Sequence, residues 1–204
     1  MPKLGMQSIR RRQLIEATLE TIEAHGFAET TIARISQRAG LSSGIISHYF
    51  GGKNALLAAT MRSLLSDLRD EMLARQRRAR TPIERIEAIV EANFAPEQFT
   101  PRVCSVWLSF YAQVPYEPEL ARLYRVYLRR LHSNLRHAFK ALLPPAGAER
   151  AAEGMGALID GIWVRAALRH DAHGEQAHAL ADDYLRLMLR AYAVPDDAGH
   201  AEAG

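Results

Sequence analysis

At 204 residues the chain is long enough for one large domain or two small ones. Hydrophobic residues at 48% supply a core, but no apolar run reaches membrane-spanning length, and the single cysteine, Cys104, excludes an intrachain disulfide. The net charge of +3 is localised: residues 1–53 hold seven Lys/Arg against four Glu, so the whole excess sits in the N-terminal quarter. That is the electrostatic footprint of a small phosphate-binding module. Met1-Pro-Lys3 leads into no apolar signal core and a lone thiol suits a reducing compartment, so a cytoplasmic location without membrane contact is expected.

Ile15, Thr18, Leu19 and Ile22 recur at helical spacing and predict a helix over 8–25, stopped by Gly26. Arg10, Arg11 and Arg12 crowd its start, against the helix dipole, which favours acids there. They form either a solvated basic turn or, as assigned here, a grip on phosphate. Thr31 to Lys53 then reads as two short helices across a tight turn. Thr31 caps the first, Ile32 and Ile35 give it an apolar face, and Ala39 leaves room for a crossing helix. Gly40 sits where a positive φ is wanted, Leu41 plugs the space between the helices, and Ser42 caps a second helix over 43–50. This is a helix-turn-helix, a motif that lays its second helix in the DNA major groove.

Ile46 and Phe50, four apart, face the core, which leaves Ser43, Gly44, Ile45, Ser47 and His48 outward. Short side chains let the helix approach base edges, hydroxyls pair with several bases, and an aliphatic tip suits a thymine methyl. Tyr49 and Lys53 flank the helix as phosphate contacts. With Thr31, Ser42, Arg10 and Arg11 they make up the expected DNA-binding set.

A long helix is expected from Asn54 to about Arg78, with Leu57, Met61, Leu64, Leu68 and Met72 on one stripe. Thr81-Pro82-Ile83-Glu84 is a capping box that opens a helix with Ile83, Ile86, Ile89, Val90 and Phe94. Thr100-Pro101 opens the next. After Pro115 and Pro118 a helix runs from Glu119 to about Leu143, where Pro144-Pro145 ends it; two more follow over 148–169 and 175–193. No stretch alternates like a strand, so the fold class is all-α: a three-helix helix-turn-helix domain joined by a long helix to a C-terminal ligand-binding and dimerisation bundle. The expected divisions are a DNA-binding domain over 1–53, the bundle over 54–195 and a disordered tail over 196–204.

Trp107, Phe110 and Tyr111 lie on adjacent turns of one helix, Tyr127 (with Tyr124) on the next and Trp163 on the penultimate one. They make either ordinary core or a cage of aromatic faces, the device that holds quaternary ammonium groups. Asp160, three residues before Trp163 in an otherwise apolar run, needs a cation, a donor or water; a cationic ligand or an arginine such as Arg165 or Arg129 would serve. Gly154, Gly156, Ala157 and Gly161 are small residues in one helix. Because glycine there costs about 1 kcal/mol against alanine, they imply a close approach, either local packing inside one chain or, as assigned here, a second copy across a dimer interface. His170, Asp171, His173 and His178 have ligand chemistry but no common metal-site spacing, so no metal is expected. No nucleophile sits with a base and no glycine-rich loop follows a strand, so neither enzymatic activity nor a cofactor is expected.

Thr31-Ile32-x-x-Ile35, Gly40-Leu41-Ser42-x-Gly44-x-Ile46 and His48-Tyr49-Phe50-x-x-Lys53-x-x-Leu56 resemble the DNA-binding domain of the TetR family of bacterial repressors. PKLGMQSIRRRQLIEATLETI, GIISHYF and the later LIDGIWVRAAL are more specifically similar to its choline-responsive branch, which represses glycine betaine synthesis. The resemblance implies a homodimer on palindromic operator DNA, controlling choline uptake and conversion to the osmoprotectant, and released by choline or betaine aldehyde. The other reading is a helical small-molecule-binding or chaperone-like protein that does not read DNA.

Overall fold

The computed structural model describes residues 4–192, all of whose regular structure is helical. In chain order the helices are α1 (Leu4–His25), α2 (Ile32–Ala39), α3 (Gly44–Phe50), α4 (Lys53–Gln76), α5 (Pro82–Asn93), α6 (Pro101–Gln113), α7 (Pro118–Phe139), α8 (Pro145–Arg169) and α9 (Gly174–Tyr192). The expected tail over 196–204 lies outside the described residues.

Local chemistry sets most of the boundaries. Thr31 accepts a hydrogen bond from the Arg34 amide at 3.3 Å, and Gly40 ends α2 at φ 64°. At α5 the capping box closes both ways, with Glu84 N–H donating to Thr81 Oγ1 at 3.1 Å and Thr81 N–H to Glu84 Oε2 at 3.2 Å. Pro82, Pro101, Pro118 and Pro145 each open a helix, where proline loses no intrahelical bond.

Several boundaries differ from expectation. Ser42 does not cap α3: Ser43 takes the cap position in helical backbone, its side chain makes no capping bond, and Ser42 contributes its carbonyl to the Ile45 amide at 3.1 Å. Ser43 is itself in helical backbone, so the helix starts without a capping hydroxyl. α7 stops at Phe139, where the Leu142 and Leu143 amides turn back onto the Phe139 carbonyl and tuck Leu143 inside. Ile83, in the first turn of α5, is exposed.

Two apolar cores result. The smaller gathers Leu14, Ala17, Ile35, Ala39, Ile46 and Leu56 beneath the helix-turn-helix, with Ile32, Leu41 and Phe50 packed on it. The larger runs from Leu19 and Ile22 on α1 and Leu57 and Met61 on α4 through α5 to α9. α1 and α4 therefore pass through both cores and tie the N-terminal head to the bundle.

Candidate functional site

On α3, Ile46 is fully buried, while Ser42, Ser43, Gly44, Ser47 and His48 are exposed together with Thr31. The short-residue face expected to meet base edges is thus free. Ile45 and Tyr49 are only half exposed, both leaning on the small core; in a seven-residue helix squeezed between α1 and α4 little of the circumference stays open. The His48 and Tyr49 rings meet edge to face at 4.9 Å.

Arg11 departs from expectation. Its guanidinium donates to the Tyr49 carbonyl and lies 4.2 Å over the Phe50 ring. A cation at the C-terminal carbonyls of α3 satisfies both the helix dipole and the ring quadrupole, so Arg11 ties the end of α3 to α1. Arg10 donates to Gln13 Oε1 at 2.8 Å, and Gln13 in turn holds the Ala39 carbonyl at 2.6 Å. Lys53 occupies the first turn of α4 with Nζ 5.6 Å from the Phe27 ring and makes no ion pair among the described residues. Such a contact at a partly exposed site is worth about 0.5–1 kcal/mol, weak enough for the ammonium to swing to a phosphate.

In the bundle, the aromatic residues from three helices do converge. Trp107 lies 5.2 Å from Tyr127, 5.6 Å from Phe110, 5.7 Å from Tyr111 and 5.8 Å from Trp163, ring centre to ring centre. Tyr124 joins through Tyr111 at 5.4 Å. Asp160 sits at the edge of this group and accepts hydrogen bonds from Tyr111 Oη at 3.1 Å and Tyr127 Oη at 3.3 Å. Arg129 instead donates to a carbonyl of its own helix, and Arg165 faces a surface groove, so neither supplies the counter-charge. Burial raises the Asp160 carboxyl above its ordinary range while the two phenols pull it back down. Burial, reinforced by the Asp160 charge, holds the Tyr111 and Tyr127 hydroxyls well above the usual phenol range, so both remain donors. The outcome is a partly buried carboxylate at the edge of the aromatic group, held by two phenol hydroxyls, with no cation on it among the described residues. Phe99 closes one side, edge to face with Trp163 at 5.2 Å; it lies in the non-helical segment between α5 and α6, where no periodicity marks it.

The small residues of α8 divide. At Gly154 the close approach is within the chain, since a Cβ there would stand 1.9 Å from the Tyr184 hydroxyl of α9; that side chain fills the space assigned to a second copy. Gly156 faces Leu131 of α7, its Cβ position 3.9 Å away. Ala157 and Gly161 do open outward, onto a groove of about 310 Å³ shared with Leu158, Ile162 and Leu180. Leu168 and Leu187 extend this surface at 68% and 59% exposure. His173 pairs with Asp171 at 2.8 Å, and no cluster of three metal-ligand side chains occurs among the described residues. None of the described helices is long and apolar enough to cross a membrane.

Comparison with known proteins covers nearly the whole chain. Residues 14–60 match the bacterial regulatory proteins of the tetR family, and residues 82–190 match the C-terminal domain of the BetI-type transcriptional repressors. The HTH-type transcriptional regulator BetI 1 of Chromohalobacter salexigens is 50% identical over 93% of this chain and 95% of its own. BetI of Serratia proteamaculans is 48% identical over 96% of this chain and 100% of its own. Among solved structures, a transcriptional regulator from Rhodococcus sp. Rha1 superposes with a TM-score of 0.79 at 21% identity, over 90% of this chain and 98% of that one. A transcriptional regulator from Saccharomonospora viridis in complex with choline gives 0.75 at 20% identity, over 88% and 96%. These two likenesses establish the fold.

Proposed function

Since the chain belongs to the TetR family and, within it, to the BetI-type transcriptional repressors, we propose that it holds a palindromic operator as a homodimer and lets go when choline or a close quaternary ammonium relative enters the aromatic group around Asp160. The genes it represses are then those for choline uptake and conversion to glycine betaine. The observation that carries the ligand is Asp160 itself: a carboxylate kept among Trp107, Tyr111, Tyr127 and Trp163 with two phenols and no cation. A trimethylammonium group suits this chemistry, because aromatic rings attract the charge and the carboxylate neutralises it without needing an N–H donor.

The family match over 14–60 removes the ground for a helical binding protein without DNA reading. Ser43, Gly44, Ser47 and His48 read bases, Lys53 meets phosphate, and Arg11 holds the angle of α3. The exposed apolar surface of α8 and α9, centred on Ala157, Gly161, Leu168 and Leu187, covers its copy by two-fold symmetry.

Two polar clasps carry ligand entry to the reading helices. α6, bearing Trp107 and Tyr111, is tied by Arg102 to Glu16 and Glu23 of α1. The start of α7, the helix of Tyr127, is tied to α4 by Asn54 Nδ2 donating to Glu117 Oε1 at 3.0 Å and by the Arg62–Glu119 pair. A cation that draws Asp160 away from its phenols shifts α6 and α7, and through these clasps both α1 and α4. The two reading heads must sit about 34 Å apart to occupy both half-sites, so a small tilt defeats the fit. A tenfold release needs about 1.4 kcal/mol of preference for the DNA-incompetent state.

The test is a gel shift on DNA flanking the gene, with choline and with its neutral isostere 3,3-dimethylbutanol. Release by choline alone is the expected result. Release by both, or by neither, overturns the cationic reading.

A further inference from the structure

The aromatic group beside Asp160 is closed in this structure. Neighbouring rings among Trp107, Phe110, Tyr111, Tyr124, Tyr127 and Trp163 stand 5.2 to 6.3 Å apart, centre to centre. That is ring against ring. A bound cation keeps a similar distance from each ring it faces, so two rings with a cation between them stand about twice as far apart as these. A quaternary ammonium therefore enters only when one ring gives way. Trp107, Phe110, Tyr127 and Trp163 are at most 9% exposed, and Tyr111 and Tyr127 are held to Asp160 by their hydroxyls. Tyr124 differs on both counts. It is partly exposed, and its hydroxyl makes no hydrogen bond among the described residues. It is held by ring contact, at 5.4 Å from Tyr111, 6.2 Å from Phe110 and 6.3 Å from Tyr127.

We propose that the Tyr124 ring is a built-in plug: it fills the place of the ammonium head, and ligand binding exchanges the one for the other. This rests on the reading of the aromatic group as a quaternary ammonium site. The surroundings of the ring are those the cation needs. Tyr124 lies nearly parallel to Tyr127, at 28°, and edge to face with Tyr111, the two residues whose hydroxyls end on Asp160. Burial and, after it, the charge of Asp160 push the Tyr124 phenol above its ordinary range, so the ring already stands in the field of the carboxylate. A trimethylammonium head has much the bulk of the phenol ring it displaces. A side chain on the outer part of a helix reaches a second staggered rotamer without moving the backbone, so the plug leaves while α7 stays in place. The plugged state lowers apparent affinity by the fraction of time the site is open. Tyr124 thereby sets the ligand concentration at which the repressor responds.

The experiment is stopped-flow fluorescence of the full-length protein with choline, beside titration calorimetry. Both tryptophans of the chain, Trp107 and Trp163, belong to the group and report on entry. Tyr124→Ala is expected to speed association and tighten binding, each several-fold. Tyr124→Phe keeps the ring and loses a hydroxyl that holds nothing, so it should match wild type. Should the alanine variant not fold, Tyr124→Leu takes its place with a smaller gain in the same direction. Weaker binding by the alanine or leucine variant makes Tyr124 a wall of the site and overturns the plug. Unchanged rate and affinity overturn it as well, since the ligand then enters elsewhere. If wild type itself binds no choline, the reading of the aromatic group falls first, and the plug with it.

Discussion

Arg102, in the first turn of α6, is ion-paired with Glu16 of α1, and its Nε lies 3.8 Å from Glu23, two turns further along the same face. A cation in the first turn of a helix works against the dipole, so its placement answers to α1. Partly exposed pairs of this kind contribute about 0–1 kcal/mol. Arg102→Gln should therefore lower stability only slightly and leave choline affinity as it is. The ratio of operator affinities without and with choline should shrink several-fold. Fluorescence anisotropy on labelled operator reads that ratio, and an unchanged value would place the coupling elsewhere.

Asp160 gives the pH prediction. Burial raises its native carboxyl above the unfolded value of 3.8. As pH falls through the raised value the carboxylate takes a proton, the site loses its negative charge, and choline should bind more weakly. The native state then binds more protons than the unfolded chain, so this group favours folding increasingly as pH drops through the same window, with the gain complete below the unfolded value. Asp160→Asn should lose at least tenfold in choline affinity, retain operator binding, and flatten both pH profiles. Calorimetry and thermal melts between pH 7 and about 4 check the two halves separately.

At the DNA face, positioning and reading should separate. Lys53→Ala is expected to weaken binding to every sequence alike and to reduce the salt slope by about 1. Ser43→Ala should instead relax preference at one operator position, by about 1–3 kcal/mol if the contact is bidentate or well aligned. Arg11→Ala belongs with neither: by freeing the end of α3 it should weaken specific binding while leaving the salt slope nearly intact. Competition binding against a panel of single-base operator variants distinguishes the three patterns.

The outward surface of α8 and α9 should be the one that pairs. Leu168→Glu together with Leu187→Glu places two charges where the single chain leaves most of each side chain exposed, so helicity and melting of the monomer should hold. Sedimentation velocity should show the dimer lost at micromolar concentration. A double variant that remains dimeric would move the interface off this face.

What could be read without coordinates followed the range of the interaction. Thr31, Gly40, and Thr81 with Glu84 act within four residues of themselves, so cap and turn chemistry was legible in the string. That Asp160, in an otherwise apolar run, needs a partner was legible too. That its donors are Tyr111 and Tyr127 was not, because they come from two other helices and only packing brings them in. Arg11 looked outward for the same reason: its acceptor, the Tyr49 carbonyl, is 38 residues away. Gly154 shows the converse, a local signal of close approach correctly noticed, whose occupant, Tyr184, no spacing rule could select.

Leu56 and Leu57 are consecutive, yet one completes the small core under the reading helix and the other the large core of the bundle. The seam between head and body therefore runs through the first turns of a continuous helix and not through a linker. Grafting the head of this repressor onto the body of a relative, to rewire which signal governs which promoter, should fail if the splice is made at residue 53, because the transplanted piece leaves Leu56 behind and Ile35 and Ile46 lose their floor. A splice just past Leu56 keeps the small core whole, provided that the recipient's body accepts Leu19 and Ile22 of α1 into its own core and its α6 matches the Glu16 and Glu23 contacts to Arg102. In this architecture the exchangeable unit ends inside a helix, at a point that the order of two leucines marks.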